Sequence, residues 1–345
     1  MCNIAGYVGK RQAAPILIEM IKQQEGFNGG FYTGIATMYE GKIYSAKLTG
    51  DTDRLLALTE AAKLPGSIGV IHSRTKSGGG DEWAHPFLAF RDGAPFCAYV
   101  ANGNTGCYRD RQAEYNEMSQ QLFEEGYPLS SRIRIDPPAY IQLKDSTSVH
   151  MSDVMCQLIA RQLKSEADYA TAMTNAFCEM PSEIVGLLLS LDTPDRITYA
   201  RFNMPMSVAF AAHGAYLASS PLAFPADAGE YSILPANSSG YVLCDRFTAI
   251  PMATPPKPVA PLTSEIRIRA YRAVKEVLER QEMIYADISR EVIKPLFESD
   301  GPCPAAALTY EALLALKNQG LLKERIDTIE GAFPDLTAPK VKLWI

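Results

Sequence analysis

The order of apolar segments along residues 1–250 constrains the fold more than any other feature. Two groups of short β-rich segments, bounded by turn residues, enclose a block of helical segments. Strands are predicted at 3–9, 33–48 (a hairpin turning at Glu40-Gly41), 67–73, 95–102, 183–191, 196–202, 206–212, 215–220 and 239–247. Helices are predicted at 15–24, 51–64, 110–126, 152–163 and 169–180. Because short turns join many of the strands, antiparallel sheets in an α+β layered domain are favoured over a β-α-β array.

The remaining C-terminal residues differ in character. The Pro-rich stretch "PMATPPKPVAP" (251–261) is typical of a linker. Helical spacing of apolar residues follows at 263–298 and 305–322, and "PKVKLWI" (339–345) has the composition of a terminal strand. The predicted organisation is a domain over 1–250, a linker over 251–261 and a mostly helical extension over 262–345. Its apolar helix faces would pack on the domain or on a second copy, which leaves a homo-oligomer open.

Composition excludes several classes of protein. The chain is 47% hydrophobic with a net charge of −6, and its charges form no basic face, so we expect no nucleic-acid partner. No apolar run reaches the ~18–20 residues of a membrane span, and no secretory signal opens the chain. Seven scattered Cys without a CxxC motif predict reduced thiols in the cytoplasm. The four His lack metal-ligand spacing, so neither a metal nor another cofactor is expected.

The chain opens "MCNIAGYVGK", with a cysteine directly after the initiator. If Met1 is removed, the thiol and the free α-amine belong to the same residue, Cys2. An α-amine with a pKa of about 7.7–8.0 is partly neutral near pH 7 and can act as base for that thiol. If Met1 is retained, the amine stays in a peptide bond and this chemistry cannot run.

Three loop segments are candidate partners of Cys2, because loops at strand ends commonly carry chemistry. They are "HSR" (72–74), "AHP" (84–86) and "NG" (102–103). Singly, each has an ordinary explanation: a solvated Arg, a His before Pro and a turn signal. Their joint order after an N-terminal Cys is what points to function.

Together these segments resemble the class II glutamine amidotransferase domain of the N-terminal-nucleophile hydrolases, and in particular the glutaminase half of glucosamine-6-phosphate synthases. The matching stretches, over about residues 1–250, are "MCNIAGYVG", "TGIATMYEGKI", "GVIHSR", "AHPF" and "ANGN", with a weaker match at "SD" (152–153). The resemblance implies a four-layer αββα sandwich. It also implies that Cys2 is the nucleophile and that Asn102 and Gly103 form the oxyanion hole.

The resemblance further implies a substrate-binding set. Arg74 would pair with the α-carboxylate of glutamine and Asp153 with its α-ammonium, and Ser77 and His85 belong to the same set. The family reads Trp-Ala-Thr-His-Gly after the Arg, whereas this chain reads "TKSGG" (75–79). Ser77 keeps a hydroxyl there, but the aromatic ring and the imidazole are missing.

The predicted function is release of ammonia from glutamine through a Cys2 thioester. The ammonia would pass to an unidentified acceptor, either a synthase subunit or a small molecule, since the chain has no room for sugar-phosphate isomerase domains. Two alternatives stay open. One is an amidohydrolase of the same fold that cuts a different amide. The other is a non-catalytic glutamine-sensing regulatory subunit, which the altered loop would allow.

Overall fold

The computed structural model describes residues 2–136, 140–253, 255–297 and 302–345. The strands are β1 (Asn3–Gly9), β2 (Tyr32–Tyr39), β3 (Lys42–Thr49), β4 (Ile68–Arg74), β5 (Phe87–Arg91), β6 (Ala94–Asn104), β7 (Ile141–Gln142), β8 (Ser148–Val149), β9 (Glu183–Ser190), β10 (Ile197–Arg201), β11 (Ser207–Ala211), β12 (Gly214–Ala218), β13 (Tyr231–Ile233), β14 (Ser238–Val242), β15 (Ile250–Pro251), β16 (Lys323–Glu330) and β17 (Thr337–Trp344). The helices are α1 (Ala13–Lys22), α2 (Thr52–Leu58), α3 (Gln112–Glu124), α4 (Met151–Gln162), α5 (Tyr169–Glu179), α6 (Ser264–Leu278), α7 (Tyr285–Asp287) and α8 (Ala305–Asn318).

Two antiparallel sheets pack face to face. One has the strand order β13-β11-β12-β1-β4-β2-β3 and the other β15-β14-β10-β9-β6-β5. Helices α1 and α2 cover the outer face of the first sheet, and α3, α4 and α5 cover the outer face of the second. The layers therefore run helix, sheet, sheet, helix, which confirms the predicted αββα sandwich.

Strand β1 shows why the sequence builds these layers. Side chains alternate across a strand, and both faces of β1 are apolar. Ile4 and Val8 point into the core between the two sheets. Ala5 and Tyr7 point the other way, into the core under α1. A strand buried on both faces belongs in the middle of a covered sheet, and β1 lies there between β12 and β4.

Local turn and cap signals set two of the boundaries. Glu40 and Gly41 both adopt positive φ, 46° and 70°, and join β2 to β3 as the hairpin turn the sequence predicts. The predicted helix after Asp51 begins as expected, because the Asp51 carboxylate accepts a hydrogen bond from Arg54 N at 2.9 Å. That helix ends at Leu58, earlier than predicted, where Thr59 takes an extended conformation.

The C-terminal extension contains a β-hairpin as well as helices. Its final strand was predicted, but the pairing of β16 with β17 was not. Strand β16 opens "KERID", and four charged residues among five gave no apolar alternation to detect. The core of the extension also takes in Phe27 and Leu222 from the first 250 residues, so the extension packs against the sandwich. Within the described ranges, no helix has the length and apolar character needed to cross a membrane.

Candidate active site

Cys2 lies at the wall of a cavity of about 320 Å³. In β1, Asn3 pairs with Ser73 of β4, so Cys2 stands beside the end of β4. The cavity brings together five of the seven residues predicted for the site. They are Cys2, Arg74, Ser77, His85 and Gly103. The other two, Asn102 and Asp153, are buried and do not line it.

Asn102 is nevertheless tied directly to the nucleophile. Cys2 N donates a hydrogen bond to Asn102 Oδ1 at 2.9 Å, and Asn102 is only 1% exposed. With its oxygen turned to Cys2 N, the amide presents Nδ2 on its other side. Next to it, a Cβ on Gly103 would come within 2.5 Å of Glu183 O, so only glycine fits at this position. The end of β6 thus holds an amide side chain and a bare backbone beside Cys2.

The pKa of the Cys2 thiol is lowered to about 6. Burial alone would raise this pKa, but the His72 imidazole, the positive charge of the chain N-terminus and the Thr75 backbone together outweigh it, with His72 contributing most. His72 is itself held in place, with Nε2 3.0 Å from Ala101 O. The hydroxyl of Thr75 lies 3.9 Å from Cys2 Sγ. The thiol is thereby prepared to ionise near neutral pH, as a nucleophile requires.

Arg74 is buried at the end of β4 with a relative exposure of 1%. Its guanidinium lies 4.2 Å from the centre of the Tyr32 ring and 5.4 Å from that of Trp83. It donates to Ser77 Oγ at 2.7 Å, Gly78 O at 2.8 Å and Trp83 O at 3.2 Å. Its Nε has no hydrogen-bond partner among the described residues. Burial lowers the pKa of Arg74, but an arginine stays protonated in proteins.

Three histidine rings cluster beside this arginine, with His72 stacked on His85 and His150 edge-on to His85. The His85 ring lies 3.7 Å from that of His72 and 5.1 Å from that of His150, centre to centre. Burial, together with the charge of neighbouring cations, holds the pKa of His85 and of His150 well below the ordinary value, so both rings are neutral. Both ring nitrogens of His85 are buried without a hydrogen-bond partner in the described part of the chain. The neutral His85 ring therefore has one hydrogen-bond donor and one acceptor available for a ligand.

Trp83 and His150 are the site residues that the sequence did not reveal. Both line the cavity, although Trp83 lies in a loop turn and His150 precedes α4. They supply near Arg74 an aromatic ring and an imidazole, the two groups missing from 75–79. Their local sequence carries no signal for this role. Only the "GGGDEWAHP" segment (78–86), which folds back over Arg74, brings Trp83 there.

Asp153 occupies a different environment from the one predicted. Its carboxylate accepts hydrogen bonds from Ser131 N at 2.7 Å and Ser131 Oγ at 2.8 Å, and from Gln157 Nε2 at 3.3 Å. Burial raises the pKa of Asp153. Its neighbour Ser152 lines the cavity instead. A role for Asp153 in binding an α-ammonium stays a prediction.

Among the residues the structure describes, no group of three His, Cys, Asp or Glu is placed to hold a metal ion. Met1, whose removal the sequence leaves open, lies outside the described residues. The seven cysteines are all free thiols.

Comparison with curated proteins finds relatives over the first part of the chain. The glutamine–fructose-6-phosphate aminotransferase [isomerizing] of Pyrococcus horikoshii is 28% identical over 250 residues, which are 72% of this chain and 37% of that protein. The Shewanella oneidensis protein of the same name is 25% identical over 225 residues, or 65% of this chain and 32% of its own length. The chain thus spans about a third of the length of these relatives. No family model matches it.

Solved structures match its fold more completely. Glutamine phosphoribosylpyrophosphate (PRPP) amidotransferase from B. subtilis has a TM-score of 0.60 at 16% identity, covering 94% of this chain and 66% of that one. An allosteric regulatory enzyme of purine biosynthesis has a TM-score of 0.59 at 16% identity, covering 90% and 63%. The resemblance inferred from the sequence is confirmed, and so is the fold that it implied.

Proposed function

We propose that this chain, which has the fold of a glutamine amidotransferase, releases ammonia from glutamine with Cys2 as nucleophile. One observation carries the proposal: Cys2, whose backbone N donates a hydrogen bond to Asn102 Oδ1 at 2.9 Å, lies on the wall of a cavity large enough for an amino acid. Cys97 and Cys303, by comparison, have thiol pKa values raised by burial to about 12 and about 11. The lowered pKa at Cys2 marks it as the reactive thiol.

The chemistry proceeds in two steps. With Met1 removed, the α-amine of Cys2 takes the thiol proton, and Sγ attacks the side-chain amide carbon of glutamine. The resulting oxyanion accepts hydrogen bonds from Asn102 Nδ2 and Gly103 N–H, each worth about 3–4 kcal/mol in related sites. The amine returns the proton to the leaving nitrogen, and ammonia departs. Water then attacks the thioester, which gives glutamate and restores the thiol.

Arg74 is the proposed anchor for the substrate carboxylate. It lines the cavity with Ser77, and its Nε has no partner among the described residues. Binding of a carboxylate to its terminal nitrogens would compete with the hydrogen bond to Gly78 O, so the loop at 75–79 would adjust on binding. His85 lines the same cavity, and its two ring nitrogens have no partner among the described residues, which supports a contact between His85 and the polar groups of this substrate.

The site also supports a second candidate, an amidohydrolase for an amide other than glutamine. Asp153 stands outside the cavity wall and is already hydrogen-bonded by Ser131, and the described residues that line the cavity include no other carboxylate for an α-ammonium. Comparing glutamine with 4-carbamoylbutanoate, which lacks the amine, separates the two. A preference of tenfold or more for glutamine supports recognition of the amine, and equal rates support the second candidate.

The same proposal extends to the ammonia acceptor, the cellular location, the oligomeric state and the domain boundaries. The ammonia acceptor is a synthase subunit or a small molecule, and the scattered free thiols support a cytoplasmic protein. A homo-oligomer through the C-terminal helices is supported by Ile268, which lies on α6 and is 51% exposed. The division into domain, linker and extension at 250 and 261 is part of the proposal as well.

The direct test is ammonia release from glutamine by the full chain, with intact mass used to verify that Met1 is absent. Cys2→Ala should abolish release while leaving the circular dichroism spectrum unchanged. Cys244→Ala, at an exposed cysteine, is the matched control and should retain full activity. Undiminished release by Cys2→Ala would refute the proposal.

A further inference from the structure

A buried carboxylate that the proposed chemistry does not use lies behind the Cys2 site. Glu25 follows α1 and is only 8% exposed. Its carboxylate accepts hydrogen bonds from Thr33 Oγ1 at 3.2 Å, Ser73 Oγ at 2.8 Å and Thr52 Oγ1 at 2.7 Å, and from Thr52 N at 3.1 Å. These donors belong to three different elements, β2, β4 and α2. None of them is a Lys, Arg or His side chain, so hydrogen bonds hold the carboxylate in place.

The two oxygens of this carboxylate are used unequally. All four donors reach Oε1 of Glu25. Among the described residues, Oε2 accepts a hydrogen bond only from Thr52 N, at 3.2 Å. Burial raises the pKa of Glu25 in spite of these hydrogen bonds. The fold therefore needs an acceptor oxygen at this position, which a neutral amide can also supply.

Ser73 connects the carboxylate to the site. It is the residue of β4 between His72, whose imidazole lowers the pKa of the Cys2 thiol, and Arg74, the proposed anchor for the substrate. Because side chains alternate along a strand, the Ser73 hydroxyl points away from the face that carries its two neighbours. Its hydrogen bond to the carboxylate, at 2.8 Å, fixes the end of β4 from the opposite side.

The same hydroxyl also fixes the segment 24–31, which leads from α1 to β2. It accepts a hydrogen bond from Gly30 N at 2.8 Å. Elsewhere in this segment, the carbonyl of Asn28 accepts a hydrogen bond from Asn3 Nδ2 at 2.6 Å. Asn3 directly follows Cys2. The carboxylate is thus linked to the nucleophile by a second route, through the start of β1.

We infer that Glu25 is a positioning residue for the Cys2 site. Through Ser73 it fixes the end of β4, where the imidazole beside the thiol and the proposed anchor originate, and through the segment 24–31 it fixes the start of β1. Groups that act on a substrate must be held to within about 0.5 Å, and hydrogen bonds from the residues behind them provide that precision. Glu25 does not line the Cys2 cavity, so it acts only through these neighbours.

Two readouts distinguish positioning from general stability. The first is the pH midpoint of iodoacetamide modification at Cys2, measured by peptide mass, with the exposed Cys244 as an internal reference. This readout needs no turnover. The second is kcat/KM for ammonia release from glutamine, and it rests on the proposed function. Denaturant titration of each full-length variant measures stability separately.

Substitutions of Glu25 test the role of its acceptor oxygen. Glu25→Ala should raise the Cys2 midpoint by about 0.5–1 pH unit, because His72 is held less firmly beside the thiol. It should also lower kcat/KM for glutamine about tenfold. Glu25→Gln keeps an oxygen at the position of Oε1 and should restore both values to near those of the wild type. The modification rate at Cys244 should not change in either variant.

Thr52→Val and Ser73→Ala form a matched pair. Each removes one hydroxyl that donates to Glu25 Oε1, at 2.7 and 2.8 Å, and each should lower stability in denaturant. Thr52 opens α2, whereas Ser73 lies in the strand that leads to the site. Only Ser73→Ala should therefore move the Cys2 midpoint. Adding Glu25→Ala to it should move the midpoint little further, because both substitutions break the same link.

Three outcomes overturn the inference: Glu25→Ala leaves the Cys2 midpoint unchanged, Glu25→Gln disturbs it as much as Glu25→Ala does, or Thr52→Val moves it as far as Ser73→Ala. If Glu25→Ala does not fold, the matched pair decides alone. Ammonia release by the wild type without a shift in any variant overturns the inference and leaves the proposed function standing. The expected shifts in a chain that releases no ammonia support the inference and refute the proposed function.

Discussion

Tyr310 Oη, in the C-terminal extension, donates a hydrogen bond to Asn3 Oδ1 at 3.2 Å. Asn3 directly follows the proposed nucleophile, and 307 residues separate the two partners along the chain. Tyr310 also accepts a hydrogen bond from Asn28 Nδ2 at 3.1 Å, while Asn3 Nδ2 donates to Asn28 O at 2.6 Å. All three side chains are buried. The extension thus helps to fix the start of β1, and with it the position of Cys2.

Tyr310→Phe tests this link. Loss of the hydroxyl leaves the Asn3 and Asn28 amides short of a partner, which should lower the free energy of unfolding by about 1–3 kcal/mol. Ammonia release from glutamine should fall as well, because Cys2 is less firmly placed. Tyr271→Phe is the control, since its hydroxyl makes an exposed bond to Gln319 within the extension. Denaturant titration and kcat are the measurements, and an unchanged kcat in Tyr310→Phe would separate the extension from catalysis.

Asn102→Ala removes both the acceptor for Cys2 N and the proposed oxyanion donor. The expected loss in kcat is about 10²–10³-fold, with a smaller effect on KM, because the donor acts mainly on the transition state. Asn175→Ala, at an exposed position on α5, should be silent. The measurement is the steady-state kcat and KM for ammonia release from glutamine by both variants and by the wild-type chain. A loss in Asn102→Ala no larger than in Asn175→Ala contradicts the oxyanion assignment.

The pKa of Cys2 predicts a pH dependence. The thiolate predominates above a pKa of about 6, so the rate of iodoacetamide modification should rise as the pH increases through 6 and level off above it. In His72→Asn the midpoint should move upward, because burial then acts on the thiol without the opposing imidazole. Peptide-resolved alkylation rates measure both midpoints. A wild-type midpoint near the ordinary thiol value, unchanged by His72→Asn, counts against this account of the site.

Arg74→Ala should raise KM for glutamine about ten- to a hundredfold, because a charge-assisted pair worth roughly 1.5–3 kcal/mol is lost. Arg74→Lys should restore little, since lysine cannot reproduce the planar contacts with Tyr32 and Ser77. Arg91→Ala removes an arginine from a half-exposed surface pair and is the control. Normal KM in Arg74→Ala would reduce Arg74 to a structural residue.

Much of the sandwich could be predicted because its strands carry local signals. Strand β1 matches its predicted bounds, and the turn residues Glu40-Gly41 indicate the β2–β3 hairpin. The β16–β17 hairpin could not be predicted in full, because β16 is nearly all charged or exposed and is defined by its partner. Strand pairing over long separations depends on the whole fold, which local patterns do not contain.

The site residues show the same distinction between signals carried by the local sequence and positions set by the whole fold. Cys2, Arg74 and Gly103 could be predicted because each stands at a strand end within a recognisable local stretch. Trp83 and His150 could not, since they reach the cavity only through the folding of separate loops. Asp153 shows the converse, because its identity fits the resemblance while the hydrogen bonds from Ser131 draw its carboxylate away from the cavity wall.

The most direct test of the central claim is covalent capture of Cys2 by a diazoketone analogue of glutamine, followed by intact and peptide mass. The account predicts a protein without Met1 that gains one adduct, located on Cys2, at a rate that free glutamine slows. Cys2→Ala should gain none. An adduct on Cys107 or another cysteine, or labelling that glutamine does not slow, would contradict the assignment of Cys2 as the glutamine nucleophile.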